Sequence, residues 1–268
     1  MPRRSANLEI MVRAAIRAAR TLVRDFGEVE QLQVSVKGPG DFVSAADRRA
    51  ERILYEELRR ARPRWGLLME ESGRHAGEDG EFLWVVDPLD GTTNFLHGLP
   101  HWAISIALVR GREILAGVVF DPVKNEMFTA EKGGGAFLND RRIRVSARRD
   151  MGTALVACGL PVRDWEGRRH FTAQMNRVAD EVAGIRRMGT ASLDLAYVAA
   201  GRQDGFWEFG LKPWDMAAGI LLVREAGGLV GRLEGDEDPF ARGTLVAGNP
   251  WVYARLRTIL EEVTPREG

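Results

Sequence analysis

The sequence predicts a mixed α/β protein, and three observations carry that prediction. The chain opens on a stretch with apolar residues at helical spacing. Its middle holds closely spaced short apolar runs separated by turn residues. Its second half alternates short apolar runs with helical stretches. Closely spaced strands imply antiparallel sheet, and alternation of strands with helices implies sheet covered by helices.

Leu8, Met11, Val12, Ala15, Ile16, Ala19 and Val23 mark one face of an amphipathic helix over 8–26, and arginines mark the other. Lys37-Gly-Pro-Gly40 reads as a turn. Asp41 to Asp47 leads into a second helix ending near Arg60, with Ser44 as N-cap and Asp47 three residues on, as in a capping box. Trp65 to Met69 is a strand ended by Glu70-Glu71-Ser72, and the polar stretch 73–80 is a mobile surface loop. Phe82 to Val86 is a buried strand, stopped by Pro88 because proline has no N–H for the ladder. Runs at 102–109, 114–120, 127–130, 136–138 and 143–145 form the antiparallel sheet, with turns at Gly111-Arg112, Asp121-Pro122 and Asn139-Asp140. Strands follow at 155–158, 184–187, 205–209, 229–233 and 245–247. Helices follow at 164–180, 192–200, 214–226 and 250–262, the third opened by Pro213 and closed by Gly227-Gly228. No internal repeat or low-complexity tract is present.

Composition narrows the function classes. The chain has 268 residues, 45% hydrophobic and 28% charged, enough for one large unit or two intimate subdomains. Basic and acidic residues balance at 38 each, which argues against broad nucleic-acid or membrane binding. Cys158 is the single cysteine, so no intramolecular disulfide forms and nothing demands an oxidising compartment. Without a long apolar run or a signal-like N-terminus, the expectation is a cytoplasmic enzyme.

The stretch Phe82-Leu-Trp-Val-Val-Asp-Pro-Leu-Asp-Gly-Thr-Thr-Asn-Phe95 carries the chemistry. Asp87 and Asp90 are expected across a tight turn at the strand end. Gly91 permits a positive φ, and Thr92, Thr93 and Asn94 have the composition of a helix start. Carboxylate pairs bind hard cations such as Mg²⁺, and free N–H groups at a helix start bind phosphate. Metal and phosphate at one point suggest phosphoryl chemistry. A β-turn rich in turn residues explains Asp, Pro and Gly, but not two acids against a hydrophobic strand end. Glu70 and Asp215 also end an apolar strand or open a helix, and acids that converge raise one another's pKa unless a cation is present.

This stretch resembles the central signature of the inositol monophosphatase family, and Trp214-Asp215 resembles its second signature. The likeness spans about Ala14 to Leu260 and looks closest to the bacterial inositol-1-monophosphatases. It implies a single domain over 1–268 with layers α-β-α-β-α, of the inositol monophosphatase/fructose-1,6-bisphosphatase type. Its halves are an α+β half to about 150 and an α/β half from about 151. It implies that Glu70, Asp87, Asp90 and Asp215, with the Leu89 carbonyl, hold two or three Mg²⁺ ions. Met69 departs from the family pattern, where glycine is common before the Glu-Glu-Ser triplet. The expected activity is hydrolysis of a phosphate monoester, myo-inositol monophosphate foremost, by metal-activated water, with sensitivity to Li⁺. Glu70, and Thr92 backed by Asp47, are the candidates to orient and deprotonate that water. By the same resemblance Lys37 supports Glu70. The substrate is expected to meet Leu89, Asp90, Gly91, Thr92, Thr93, Arg186, Gly189, Thr190, Ala191, Glu208 and Asp215. A homodimer is implied. The alternatives are a phosphatase for fructose 1,6-bisphosphate or a 3′-phosphonucleotide, or a non-catalytic role in ribosomal RNA transcription with transcription-factor partners.

Ordinary structural roles compete with several of these. Asp47 and Asp215 both fit helix capping, Gly189-Thr190-Ala191 fits an N-cap turn, and Arg186 fits a surface ion pair. Lys132-Gly-Gly-Gly135 lacks Walker spacing and reads as a turn. His75, His97, His101 and His170 lack metal-ligand spacing, and His97 and His101 read as exposed helix-end residues. Cys158 has no evident base partner and reads as a small buried side chain. The seven tryptophans read as core and interface.

Overall fold

The computed structural model describes residues 4–28, 34–38, 41–160, 165–233, 240 and 244–263, with side chains for all of these except 34–38, 41–43 and 165–167. The chain begins with α1 (Ala6–Phe26), capped by Ser5, whose hydroxyl accepts the Leu8 N–H. A hairpin of β1 (Val34–Gly38) and β2 (Asp41–Ser44) follows, so Lys37 lies in a strand and not in the expected turn. Pro39 and Gly40, the rest of that turn, lie outside the described residues, as does the Lys37 side chain. Then comes α2 (Ala45–Ala61), opened by the capping box that Ser44 and Asp47 spell out.

The first large sheet contains β3 (Gly66–Met69), β4 (Gly73–His75), β5 (Phe82–Asp90), β6 (Ala103–Arg110), β7 (Glu113–Asp121), β8 (Glu126–Glu131), β9 (Gly135–Leu138) and β10 (Arg141–Ile143). Its order is β10-β9-β8-β7-β6-β5-β3-β4. Two expectations change here. The segment 73–80 is not all loop, since β4 pairs antiparallel with β3 from Met69↔Gly73 to Leu67↔His75. Pro88 does not stop its strand either. Between Asp87↔Ser105 and Asp90↔Ala103 the β5–β6 register slips, with three steps on one strand against two on the other. Pro88 occupies this bulge, where no ladder N–H is required. The short helix α3 (Thr92–Leu96) follows.

The second half contributes β11 (Leu155–Cys158), α4 (Trp165–Ala179), β12 (Gly184–Arg186), α5 (Ala191–Ala199), β13 (Gly205–Phe209), α6 (Pro213–Glu225), β14 (Leu229–Arg232), β15 (Thr244–Gly248) and α7 (Pro250–Val263). Its sheet has the order β12-β11-β13-β15-β14. β11 runs parallel to both neighbours, while β15 is antiparallel to both of its own.

Three cores stack these elements into five layers. Leu8, Leu22 and Leu54 of α1 and α2 pack with Trp84, Val86, Ile104, Ile106 and Val118 on one face of the large sheet. Its other face, with Val85, Ala107, Val119 and Phe128, meets α5 and α6, which also cover Ala157, Phe206, Leu245 and Ala247 of the second sheet. The far face of the second sheet, with Val156, Cys158, Trp207 and Val246, packs on α4 and α7. α5 is buried along its whole length, as a helix between two sheets must be. Among the described residues no helix is long and apolar enough to cross a membrane.

Candidate active site

The acids meet because of strand pairing. β3 runs parallel to β5 with Met69 opposite Val86, and the Glu70 N–H continues the ladder to the Val86 carbonyl at 3.2 Å. Glu70 therefore emerges beside Asp87. On the other flank Ser105 pairs with Asp87, and its hydroxyl donates to the Trp214 carbonyl at 3.1 Å. That bond ties the start of α6, and with it Asp215, to the same sheet end.

Electrostatics records the convergence. Asp87 is 2% exposed, and burial followed by the charges of Glu70, Asp90 and Asp215 pushes its carboxyl far above the ordinary range. Burial and then Asp90 do the same to Asp215. Asp90 is pushed up to about 6 by burial, against donors from Ser192, Ala191 and Gly91 that favour its charged form. The Ser192 N–H reaches Asp90 Oδ2 at 2.7 Å, so α5 points the first amides of its N-terminus at this carboxylate.

Each acid is fixed locally. The Leu89 N–H, turned inward by the bulge, donates to Asp87 Oδ1 at 2.9 Å. The Lys212 N–H donates to Asp215 Oδ2 at 2.7 Å, so Asp215 caps α6 while also facing the other acids. Asp47 combines two roles in the same way. It is fully buried, accepts from the Ser44 N–H and hydroxyl, and receives the Thr92 Oγ1 proton across 3.0 Å. Thr92 Oγ1 is equally 3.0 Å from the Leu89 carbonyl. One hydroxyl proton thus serves two acceptors, and its own lone pairs remain available.

Gly91 could be no other residue. Its φ is +91°, and a Cβ would sit 2.5 Å from Thr190 Oγ1 and 3.1 Å from the His101 carbonyl. Thr190 is the residue before α5, but its side chain caps nothing. It donates instead to the His101 carbonyl at 3.0 Å. Asn94 Nδ2 donates to the same carbonyl and to the Met188 carbonyl, both at 2.8 Å. Gly189, Thr190 and Ala191 are therefore joined to the Gly91–Asn94 segment. Thr93 is exposed.

Glu208 ends up facing the cluster from β13. Burial first, then Asp215, Asp194 and Asp90, raise its carboxyl well above the usual range. Arg186 is exposed on the edge strand β12 and donates to its neighbour's Ile185 carbonyl at 3.0 Å. The cation felt by Glu208 and Asp194 is Arg187. His97 is exposed as expected, but His101 is 8% exposed, with both ring nitrogens lacking a hydrogen-bond partner. Its ring lies edge-on to Tyr197 at 5.9 Å, in the interior and not at a helix end. Cys158 is buried, as expected.

The profile of the inositol monophosphatase family matches residues 4–264. The chain belongs to that family. An inositol-1-monophosphatase of Mesorhizobium japonicum is 53% identical over 98% of this chain and 99% of its own. The Nus factor SuhB of Pseudomonas aeruginosa is 45% identical over 96% and 97%. The crystal structure of the extragenic suppressor protein suhB from Bartonella henselae superposes with a TM-score of 0.94, at 55% identity, covering 97% of this chain and all of the other. The fold is that of inositol monophosphatase and fructose 1,6-bisphosphatase structures, and the chain is an enzyme of a phosphatase family.

This inositol monophosphatase family member also contains residues that the motifs did not reveal. Asp194 is 1% exposed, bonded by Gln203 Nε2 at 3.1 Å, and raised to about 7 by burial and the nearby Asp90. Its signal was in plain view: one acid inside the apolar run Leu193–Ala200. Glu51 left no comparable signal, being one charge among many on α2.

Proposed function

We propose that the chain hydrolyses phosphate monoesters with Mg²⁺, with myo-inositol monophosphate as the substrate. The observation that carries this reading is that strand pairing brings Glu70 beside Asp87 while the Ser105–Trp214 bond ties the start of α6 to the same sheet end, so that Glu70, Asp90 and Asp215 all act on Asp87; among the described residues no three such side chains are drawn together as an already formed ion site. Such a cluster, with oxygen the only donor type, suits a hard divalent cation. Glu70, Asp87, Asp90, Asp215 and the Leu89 carbonyl would hold it. When bound, Mg²⁺ supplies positive charge that neutralises the phosphate and acidifies a water molecule.

The chain's own groups do the rest. Thr92 and Thr93 offer backbone N–H groups to the phosphate at the start of α3, while Gly91 lets the backbone approach. Thr92 Oγ1, its proton directed to Asp47 or Leu89, is free to accept from the attacking water and orient it. The proton of that water would pass to the Glu70 carboxylate, or to Thr92 Oγ1 as the Thr92 proton passes on to Asp47. Glu208, whose carboxyl feels the charge of Asp215, accepts hydrogen bonds from polyol hydroxyls and disfavours a second phosphate. That favours a monophosphate over a bisphosphate or a 3′-phosphonucleotide. The family likeness further supports inhibition by Li⁺ and a homodimer.

Phosphate release from inositol 1-phosphate, fructose 1,6-bisphosphate, a 3′-phosphonucleotide and an aryl phosphate, with Mg²⁺ and with excess chelator, tests this reading. Equal turnover in chelator sinks the metal assignment, and a preference for the bisphosphate sinks the substrate. A second reading, a transcription role, is favoured by relatives named Nus factor SuhB. Its test is binding of an inactive Asp90→Asn chain to transcription factors.

A further inference from the structure

One stripe of α2 carries Asp47, Glu51 and Tyr55, each four residues after the last. Residues so spaced lie one above another on a helix face. Asp47 holds Thr92, as described. One turn on, Glu51 is 6% exposed, and its Oε2 accepts the Glu71 backbone N–H at 2.8 Å. One turn further, the Tyr55 ring packs 5.0 Å from the His75 ring, whose Nε2 lies 2.7 Å from Ser72 Oγ. Glu71, Ser72 and His75 all belong to the β3–β4 hairpin, whose connection begins at Glu70. A single helix therefore grips both the segment bearing Thr92 and the hairpin bearing Glu70.

The Glu51 bond has a defined mechanical effect. The Glu70 N–H is already fixed by the Val86 carbonyl at 3.2 Å. The Glu71 N–H belongs to the next peptide plane. With both planes held, the Cα of Glu70 and the direction of its Cα–Cβ bond are set. The acceptor is a carboxylate and it is buried, so the bond is stronger than a neutral one, and its loss would leave a backbone donor unpaired.

We propose that Glu51 is a positioning residue of the acidic site, fixing the peptide between Glu70 and Glu71 and so the aim of the Glu70 carboxylate. This rests on Glu70 being a cation ligand, as proposed above. Glu51 touches neither substrate nor cation. An amide oxygen accepts the same hydrogen bond, so Glu51→Gln preserves the function, whereas Glu51→Leu keeps comparable volume and removes the acceptor.

The test uses the full chain as wild type, Glu51→Gln, Glu51→Leu and, as a control on the exposed face of the same helix, Glu56→Gln. Calorimetric titration with Mg²⁺ gives cation affinity without turnover, and hydrolysis of inositol 1-phosphate gives kcat and KM. Glu51→Leu is expected to weaken Mg²⁺ affinity about tenfold, with KM for the phosphate ester at saturating Mg²⁺ held within about twofold. Glu51→Gln and Glu56→Gln are expected within about threefold of wild type in Mg²⁺ affinity. Unchanged Mg²⁺ affinity in Glu51→Leu, even with a lower Tm, overturns the proposal by making Glu51 merely structural. A Glu51→Gln chain as impaired as Glu51→Leu overturns it too. A wild type that binds no Mg²⁺ brings down the metal reading itself, a result distinct from either. Should Glu51→Leu fail to fold, amide exchange in the wild type decides: protection of the Glu71 N–H matching β3 supports the bond, and free exchange overturns it.

Discussion

Gly159 lies directly under the carboxyl group of Glu208: a Cβ added to Gly159 would sit 1.7 Å from Glu208 Cδ and about as close to both oxygens. The glycine after β11 is thus the floor on which the β13 carboxylate rests. If Glu208 reads the polyol, Gly159→Ala should reproduce the effect of Glu208→Ala by displacing it. Charge-assisted hydrogen bonds are worth about 1.5–3 kcal/mol, so each variant should lose roughly tenfold to a hundredfold in kcat/KM on inositol 1-phosphate. An aryl phosphate without ring hydroxyls should be nearly unaffected. Equal losses on both substrates, or none, would remove Glu208 from substrate recognition.

Asp90→Asn should lower turnover about a thousandfold, the equivalent of roughly 4 kcal/mol of cation stabilisation. It should not lower the Tm of the metal-free chain, because it relieves repulsion on Asp215 and Asp87. Turnover at saturating Mg²⁺ together with a melting curve checks both halves. Activity within about threefold of wild type excludes the role.

Thr92→Ala should reduce kcat more than it raises KM. The hydroxyl lies between Asp47 and the Leu89 carbonyl, and orientation of a nucleophile matters during attack more than in binding. Steady-state kinetics decide the point. A raised KM with unchanged kcat would make Thr92 a binding residue.

Mg²⁺ should displace protons. Burial and mutual charge raise Asp87, Asp90 and Asp215 above their ordinary values. For groups raised in the folded state, stability is fully present below the unfolded pKa and falls as pH rises through the folded one. The metal-free chain should therefore lose stability from about pH 4 through pH 6, the folded value of Asp90 being about 6. Mg²⁺ should raise Tm more at pH 7.5 than at pH 5. Titration in two buffers of different ionisation enthalpy should show proton release, and its absence would contradict the cluster's electrostatics.

His101 should act in the opposite sense. Burial, helped by Lys124, lowers it from 6.5 to about 4. Its neutral form is favoured by the fold, so its contribution is present above 6.5 and is lost as pH falls toward 4. His101→Leu should flatten the decline of Tm between pH 6.5 and 4 when Mg²⁺ is saturating. An unchanged slope would show that the ring is solvated.

How much of this was legible depended on the range of the interaction. The Ser44–Asp47 capping box is local, and its spacing alone revealed it. The acids could be recognised as strand ends and helix starts, but their meeting depends on β3 pairing parallel to β5, which no local spacing records. Pro88 misled because its cost was judged for a regular ladder, and a bulge removes the need for its N–H. β4 was missed because three polar residues become a strand only when β3 offers an edge. His101 looked exposed because polarity was read without the Tyr197 and Asn94 contacts that enclose it. Glu51 acts through a partner twenty residues along the chain, and only the fold identifies it; Asp194 stood out as an acid in an apolar run, but its closeness to Asp90 is seen only in the fold.

The placement of α6 governs the order in which the molecule can be made. One face of the first large sheet, completed by residue 143, is covered chiefly by α5 and α6, and α6 ends at Glu225. While the chain is being synthesised, Val85, Ala107, Val119 and Phe128 have no permanent cover until those helices leave the ribosome. Asp215, which lies near the start of α6, arrives with that cover. The nascent chain thus cannot assemble its four acids before it can bury its central core, and a truncated product ending before α6 would be both sticky and inert.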